Sequence, residues 1–179
     1  MGRAGEKGGR RWIMDTPKPI SVDGEGFEIL KDAVVELLNQ YPGLNGRVIS
    51  RSDLPEDGGI SMEPESGTLV YSEKSDIVGN IRQECQFPFY VVYRTDATSE
   101  YVKAGTNDFL DKLGAWACRE PVTIGGKLYQ LEAYPPLTGS RKITKAVRFN
   151  SYALEPNENK TQDWLIPITV NYTHEFTRR

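Results

Sequence analysis

The amino-acid sequence predicts an α+β protein in which a mostly antiparallel β-sheet carries two α-helices packed on one face. Two observations lead to this fold class. Two segments repeat apolar residues at helical spacing, and the segments between and after them alternate apolar with polar residues. The order along the chain is therefore helix, strands, helix, strands. At 179 residues the chain has the length of one domain with its own hydrophobic core.

The first helix is predicted over residues 24–41. A single apolar stripe recurs there at spacings of three and four residues, formed by Phe27, Leu30, Val34, Leu38 and Tyr41. Asp23 is the expected N-cap, and Pro42 with Gly43 ends the helix. The remaining positions are mostly polar, so we expect this helix to lie on a sheet.

Strands are expected over residues 46–51, 59–63, 67–74 and 80–95. The last of these alternates most regularly, and its apolar face is made of Ile81, Cys85, Phe87, Phe89, Val91 and Tyr93. Pro88 lies in the middle of this strand. Because proline cannot donate a hydrogen bond to a neighbouring strand, we expect a sheet edge or a bulge at that point.

A second helix is predicted within residues 99–118, most firmly over 107–118, with Thr106 or Asn107 as its cap. Its inner face would carry Phe109, Leu110, Leu113, Trp116 and Ala117. Further along, Gly125 and Gly126 lie between two short strand-like pieces, which indicates a tight β-hairpin.

The chain closes with two long predicted strands, residues 143–154 and 163–176. In the second strand, Trp164, Ile166, Ile168, Val170 and Tyr172 share the face expected on the core. The opposite face is left for water or for another chain, and it carries Leu165, Pro167, Thr169, Asn171 and Thr173. The predicted core comprises Phe27, Leu30, Val34, Leu38, Phe89, Val91, Leu113, Trp116, Ile166, Ile168 and Val170.

Residues 1–13, MGRAGEKGGRRWI, differ from the rest of the chain because they are basic, glycine-rich and without apolar periodicity. They could be a basic arm for nucleic acid, but we expect a non-native or disordered leader ahead of a native start at Met14. The predicted domain is therefore residues 14–179. Its 18 basic and 24 acidic residues give about −6, against −3 for the whole chain, so affinity for nucleic-acid phosphates is not indicated. No apolar run approaches the roughly 20 residues of a membrane helix, so we expect no membrane contact.

Catalytic and metal-binding patterns are weak in this sequence. His174 is the only histidine, and we interpret it as a strand-end residue without a chemical role. Cys85 and Cys118 stand outside any CxxC pattern and are expected to be reduced, buried thiols. The acidic residues of 53–65 could hold Ca²⁺ weakly, but they lack the ligand spacing of a calcium loop. We expect no catalytic, cofactor-binding or metal-binding residues and no cofactor.

The side chains left without a role favour an interaction protein. Tyrosine, proline and aliphatic residues fall opposite the helices, among them Pro135, Pro136, Leu137, Leu165 and Pro167. Proteins normally blunt exposed strand edges unless they use them for assembly.

Several segments carry a resemblance to a known family: DGEGFEILKDAVVELLNQYPGLNGRVI, ECQFPFYVVYRT, FLDKLGAWACREPV, GSRKIT and SYALEPNENKTQDWLIPITVNYTHEF. They resemble small proteins of tailed bacteriophages and prophages in Gram-positive bacteria, encoded among head–tail genes and described as minor capsid proteins. The family is similar to tail terminators (tail-completion or head–tail joining proteins). The resemblance runs from Met14 to the end and rests on the order of the predicted helices and strands and on the wording of these sequence segments, not on a catalytic motif. Relatives sometimes carry a chloramphenicol-resistance label, yet the paired-histidine motif of that acetyltransferase is absent around His174.

The resemblance implies a structural protein of the virion that forms a ring, commonly a hexamer, at the head-proximal end of the tail. Its partners would be further copies of itself, the tail tube protein and the head-completion or connector protein. Genome DNA would pass through the ring without specific binding. The protein would be made in the bacterial host cytoplasm and would end in the virion.

Two functional surfaces are expected on this interpretation. The partner interface would comprise Pro136, Leu137, Arg141, Lys142, Leu165 and Pro167. Acidic residues facing the lumen would be Asp53, Glu56, Asp57, Glu63 and Glu65. Two alternatives stay open, a phage-encoded protein-binding module of a general kind and an acetyltransferase-like enzyme. The oligomeric state tests the first alternative, and an acetyl-CoA binding assay tests the second.

Overall fold

The computed structural model describes residues 16–51 and 53–178. The predicted leader, residues 1–13, lies outside the described residues. The two helices are α1 (Gly26–Leu38) and α2 (Glu100–Ala117), and a short 3-10 turn spans Pro42–Leu44. The strands are β1 (Ser21–Val22), β2 (Ile49–Ser50), β3 (Gly59–Pro64), β4 (Leu69–Ser75), β5 (Asn80–Asp96), β6 (Val122–Ile124), β7 (Lys127–Tyr129), β8 (Arg141–Arg148), β9 (Tyr152–Ala153) and β10 (Thr161–Thr177).

The main sheet is built around β5 and β10, two strands of 17 residues that pair antiparallel over their whole length. β4 and β3 follow one another along the free side of β5, and β8 and β9 do the same along β10. β1 pairs antiparallel with β4, and β2 pairs parallel with β3. The mostly antiparallel sheet with two helices is the fold that the sequence predicts.

Both helices pack on the inner face of the sheet, where the predicted alternation of β5 and β10 places the apolar side chains. The predicted core is confirmed, except that Phe27 is only half-buried. Gly114 allows α2 to approach β10 closely, since a Cβ at this position would lie 2.5 Å from Ile166 Cδ1. Tyr41 joins the two helices through contacts with the rings of Phe109 and Trp116.

The boundaries of both helices differ from the prediction. α1 is shorter than residues 24–41 at each end. Its N-cap is Glu25, so Asp23, the expected N-cap, lies two residues too early. α2 begins at Glu100, because the Ser99 hydroxyl caps it by accepting a hydrogen bond from Val102 N at 3.3 Å. The predicted cap at Thr106 or Asn107 is wrong. Thr106 lies inside the helix and bonds the Val102 carbonyl instead.

The predicted strand pattern holds with local differences. The sequence predicts one strand over 143–154, and the structure has β8 and β9 with a break at residues 149–151. The hairpin between β6 and β7 is confirmed. Gly125 and Gly126 have φ of 58° and 80°, which is the left-handed backbone that a two-residue hairpin turn of this kind requires.

Candidate interaction surface

The face of the sheet opposite the helices, here called the outer face, is formed at its centre by alternate residues of β5 and β10. The strand register sets them side by side in five pairs: Val92–Leu165, Tyr90–Pro167, Pro88–Thr169, Gln86–Asn171 and Glu84–Thr173. Most of these side chains are half-buried, since neighbours in the sheet shield them while water still reaches them. The outer face is therefore a continuous surface on which the core does not depend.

Pro88 and Pro167 occupy equivalent places in the two central strands. Pro88 lies where the strand beside β5 changes from β4 to β3, and Pro167 lies where the strand beside β10 changes from β8 to β9. The carbonyl oxygens of the two prolines accept hydrogen bonds from Glu65 N and Phe149 N, each at 3.0 Å. N–H and C=O of one residue point to the same side of a strand, so each proline lacks its donor where the flanking strand is interrupted. β5 is thus a central strand, and the expected edge at Pro88 is a local gap.

The end of the outer face nearest β9 is apolar. Tyr152 pairs with Leu165 and is 43% exposed, and Val147 pairs with Thr169 and is 38% exposed. Leu165 and Pro167 therefore lie on the open face, where the sequence predicts them, and they have aromatic and aliphatic neighbours.

Charged side chains lie on two diagonally opposite parts of the outer face. On β8, Lys145 pairs with Asn171 and Lys142 pairs with Thr173, and both lysines are exposed. On β3, at the other side of β5, Glu63 pairs with Tyr90 and is also exposed. Opposite charges thus occupy opposite corners of one surface.

The acidic segment 53–58 folds over the outer face beside Glu63. Arg94 donates a hydrogen bond to the Pro55 carbonyl, and a Cβ on Gly59 would lie 3.1 Å from Pro55 Cδ. This cover explains why the polar Ser61 of β3 is fully buried. The acidic side chains assigned to a lumen are all exposed: Asp53, Glu56, Asp57, Glu63 and Glu65. A lumen requires further subunits, so that assignment stays a prediction.

The residues predicted in the loop before β8 lie at its free edge rather than on the outer face. Residues 130–137 run along this edge, and the Tyr134 hydroxyl accepts a hydrogen bond from Ala146 N at 3.0 Å. A groove of about 760 Å³ between this segment and β8 is lined by Pro136, Leu137 and Lys142 among others. Leu137 is partly buried against the core, whereas Pro136 and Lys142 are exposed. The predicted interface residues thus fall into two groups, Leu165 and Pro167 on the outer face and Pro136 and Leu137 at the free edge of β8, and Lys142 of β8 borders both.

Arg141 also borders this groove, but it is buried, so its assignment to an exposed interface is wrong. Its side chain is 2% exposed and forms a bidentate ion pair with Asp23, whose side chain is 5% exposed. The distances are 2.6 Å from Arg141 Nη2 to Asp23 Oδ1 and 2.8 Å from Nε to Oδ2. Arg141 shares the inner face of β8 with the buried Ile143, because the two positions have the same parity along the strand.

Both carboxylate oxygens of Asp23 are occupied by protein donors. Besides Arg141, the Tyr172 hydroxyl donates to Oδ2 at 2.8 Å and Gly26 N donates to Oδ1 at 3.1 Å. Burial alone would raise the pKa of Asp23, but the hydrogen bonds from Arg141 and Tyr172 outweigh it and lower that pKa below its ordinary value. Only glycine fits at position 26, since a Cβ there would lie 2.1 Å from Asp23 Oδ2.

His174 lies next to this carboxylate and is not at a frayed end. It pairs with Gln83 and with Arg141 inside β10, and its side chain is 16% exposed. Its Nδ1 is 3.9 Å from Asp23 Oδ2, too far for a hydrogen bond, and is buried without a partner among the described residues. Burial, with a further contribution from Arg141, lowers the pKa of His174, so the imidazole is neutral near pH 7.

A metal-binding cluster and a membrane-spanning helix are both absent from the described part of the chain. No group of three or more His, Cys, Asp or Glu side chains there is arranged to hold a metal ion. Within residues 16–51 and 53–178, no helix has the length and hydropathy to cross a membrane.

Comparison with known proteins gives little additional information. No protein-family model matches the chain, and no curated protein matches it. Among solved structures, the chain is similar to a chain in the structure described as "Virion of native gene transfer agent (GTA) particle". The two are 14% identical with a TM-score of 0.49, and the match covers 86% of this chain and 99% of the other. At this level the similarity says nothing about function.

Sequence reasoning missed the Asp23 cluster. It assigned Asp23 only to the helix start, whereas the structure joins that residue to Arg141 and Tyr172, 118 and 149 positions further on. A signal was nevertheless available. In RKITKAVR, Arg141 is in phase with the apolar Ile143, and a charged residue on a core face requires a buried partner.

Proposed function

We propose that this chain is a structural protein of a phage or phage-like virion. Its finer role is that of a tail terminator, a homo-oligomeric ring at the head-proximal end of the tail. The sequence resemblance from Met14 to the end supports this. The observation that carries the proposal is the outer face, a continuous half-buried sheet surface that the completed core leaves free. Surfaces of this kind serve assembly in proteins that expose long strands.

Contacts within the ring and with the tail would use both exposed groups of predicted residues. Leu165 and Pro167 supply an apolar patch on the outer face, extended by Tyr152 and Val147. Pro136 supplies a second patch at the groove beside β8, and Lys142 lies between this groove and the outer face. A ring closes through a heterologous contact, in which two different patches of the same subunit meet from one copy to the next. The tail tube protein and the head connector would then take the two ends of the ring.

Passage of DNA through such a ring agrees with the charge of the chain. The formal net charge is −3, and the acidic side chains within residues 53–65 are exposed. A neutral or acidic channel does not hold the phosphate backbone, so DNA can slide through it. The protein would assemble in the host cytoplasm and leave in the virion.

The Asp23 cluster would then have a structural role and no enzymatic one. Both carboxylate oxygens of Asp23 accept hydrogen bonds from Arg141, Tyr172 or Gly26, which leaves no free oxygen for a substrate. The cluster ties the start of α1 to β8 and β10 and so fixes the edge of the sheet. An acetyltransferase-like activity would need a histidine held in place as a general base, whereas His174 Nδ1 is 3.9 Å from Asp23 Oδ2 and forms no hydrogen bond to it.

The test is the Leu165→Asp substitution in the producing phage or prophage. We expect filled, intact heads together with tails that are overlong or fail to join them, as seen by electron microscopy of lysates. Leu128→Asp is the matched control, because Leu128 is 66% exposed on the β6–β7 hairpin, away from the outer face. Normal virions from the Leu165→Asp phage would contradict the proposal. A phage in which both variants fail alike would contradict the choice of surface.

A further inference from the structure

The turn between β4 and β5 carries two aliphatic side chains that the fold does not use. Ile77 is fully exposed, and Val78 is 75% exposed. Turns favour glycine, proline, asparagine, aspartate and serine, so two adjacent β-branched residues run against the local preference. Residues that break a local rule without helping the core occur mainly at functional sites. This turn is therefore a candidate contact point.

The turn keeps its shape without either aliphatic side chain. Asp76 Oδ1 accepts hydrogen bonds from Val78 N and Asn80 N at 2.9 Å each, and Asp76 Oδ2 accepts one from Asn80 Nδ2 at 2.8 Å. Gly79 N donates to the Asp76 carbonyl at 3.2 Å, and Arg178 N donates to the Gly79 carbonyl at 3.0 Å. The last bond ties the turn to the end of β10. Residues 76–79, here called the hairpin tip, thus present their side chains from a firmly held backbone.

The groove between residues 130–137 and β8 has an apolar lining that suits such side chains. Pro135, Pro136, Leu137 and Ile143 contribute to its walls. Ile143 is buried and Leu137 is partly buried against the core, so the base of the groove belongs to the fixed part of the fold. With a volume of about 760 Å³, the groove has room for a turn and not only for one side chain.

The charges of the tip and of the groove have opposite signs. Asp76 is the only ionisable residue of the tip, and its carboxylate is bound by neutral N–H groups, so its negative charge remains. The exposed charges of the groove are Arg119, Lys142 and Glu132, two cations against one carboxylate. Lys74 lies two residues before the tip, so the attraction is confined to the turn itself.

We propose that the hairpin tip of one copy of this chain docks in the groove beside β8 of a second copy. Ile77 and Val78 would lie against Pro136 and Leu137, with Asp76 beside Lys142. A chain cannot dock its own tip, because β10 and β8 lie between β5 and the groove, a distance of about 15 Å at about 4.8 Å per strand. The contact is therefore heterologous: each copy offers its tip to one neighbour and its groove to the other.

The contact depends on the tip and the groove, whereas its role in closing a ring rests on the proposed function. Two aliphatic side chains bury far less than the roughly 800 Å² per partner of a standard interface, so one contact by itself should be weak. Repetition around a closed ring or on the tail tube would strengthen it through multivalency. Leu165 and Pro167 stay free in this arrangement, because the outer face takes no part in it.

Disulfide trapping in the purified full-length chain tests the proposal. Ile77→Cys and Pro136→Cys in one chain, oxidised with copper–phenanthroline and oxygen, should give a ladder of covalent oligomers on a non-reducing gel. Each link joins two thiols of different copies, and oxygen takes up the two electrons. A mixture of the two single variants should stop at a dimer that contains one of each. Ile77→Cys with Tyr101→Cys is the matched control, because Tyr101 is 89% exposed at the start of α2, outside the groove.

We expect the Ile77–Pro136 variant to link at least roughly tenfold faster than the control, since an apolar residue buried on docking favours the contact by about that factor. Circular dichroism verifies that every variant is folded. A disulfide accumulates even from a weak contact, so the absence of the ladder would overturn the inference, as would equal linking in the Tyr101 control.

The phage experiment on the outer face separates this contact from the proposed function. Defective tails in the Leu165→Asp phage without any Ile77–Pro136 link would remove the contact and leave the proposed function in place. A specific link together with normal tails in that phage would support the contact and remove the proposed function.

Discussion

Asp23 and Arg141, 118 positions apart, form a bidentate ion pair buried where α1, β8 and β10 meet. Each group depends on the other, because a charge removed from water costs several kcal/mol unless it is paired and hydrogen-bonded. Gly26 and Gly139 make room for the pair: a Cβ at Gly139 would lie 2.3 Å from Arg141 Nη1. The edge of the sheet is thus held by a buried ion pair that requires glycine at positions 26 and 139.

Arg141→Met should destabilise the protein by about 3–5 kcal/mol, because it leaves the Asp23 carboxylate buried without its main partner. Arg82→Met is the matched control. Arg82 pairs with Glu175 at 3.2 Å, but both side chains are more than half exposed, so its loss should cost under about 1 kcal/mol. Denaturant unfolding followed by circular dichroism measures both. Equal costs would mean that the buried pair is no more important than an exposed one.

Two glycines of α2 should respond to alanine with opposite signs. At Gly114 a Cβ would lie 2.5 Å from Ile166 Cδ1, and Ile166 is fully buried, so the alanine should destabilise by about 1–3 kcal/mol. Gly105 has no neighbour within 4 Å of an added Cβ, so there alanine should stabilise by about 1 kcal/mol through helix propensity. Thermal unfolding of the two variants tests this. A stabilising Gly114→Ala would show that α2 does not lie as close to β10 as described.

His174 should make the protein less stable in mild acid. Its pKa is lowered by burial and by Arg141, so the unfolded chain binds a proton more readily than the native one. The stability that this residue contributes is complete above its ordinary pKa of 6.5 and is lost as pH falls through the lowered value. Thermal midpoints between about pH 7.5 and about pH 5 should therefore fall more in the original protein than in His174→Gln. Parallel curves would mean that the imidazole does not titrate differently in the two states.

The two thiols should react slowly in the native protein. Burial raises the pKa of both Cys85 and Cys118 to about 11, so little thiolate is present near pH 8. Cys85 lies in the core beside Tyr172. Arg141→Met should speed its modification by a thiol reagent because loss of the ion pair lets this edge of the sheet open more often, although removal of Arg141 by itself raises the pKa of the Cys85 thiol. Cys118 provides the internal comparison, since it directly follows α2 and lies away from that pair. Mass spectrometry of each labelled cysteine distinguishes the two rates, and equal acceleration would indicate global unfolding.

The alternation of apolar and polar residues predicted most of the sheet, whereas local capping signals did not predict where the helices begin. The pattern over residues 80–95 and 163–176 located β5 and β10 to within two residues at each end, because one buried face fixes the parity of every side chain. The prediction bounded α2 correctly within residues 99–118 but placed its cap at Thr106 or Asn107, because the apolar stripe is clear only from Phe109 onward. Ser99 caps the polar first turns of the helix, and no apolar periodicity marked them. Strand alternation alone placed Leu165 and Pro167 on the open face of the sheet. Arg141 was predicted to be exposed, and the structure buries it against Asp23.

The sequence by itself determined the fold class, the two helices, the long central strands and the face of each strand that meets the core. These follow from the spacing of apolar residues, which is a local property of the chain. Tertiary structure alone decided that Asp23 meets Arg141, that Pro88 and Pro167 both stand at interruptions of the flanking strands, and that Glu63 and Lys145 lie at opposite corners of the outer face. Each of these depends on which strands are neighbours and in what register, and pairing between distant segments is set by packing of the whole core rather than by any one segment.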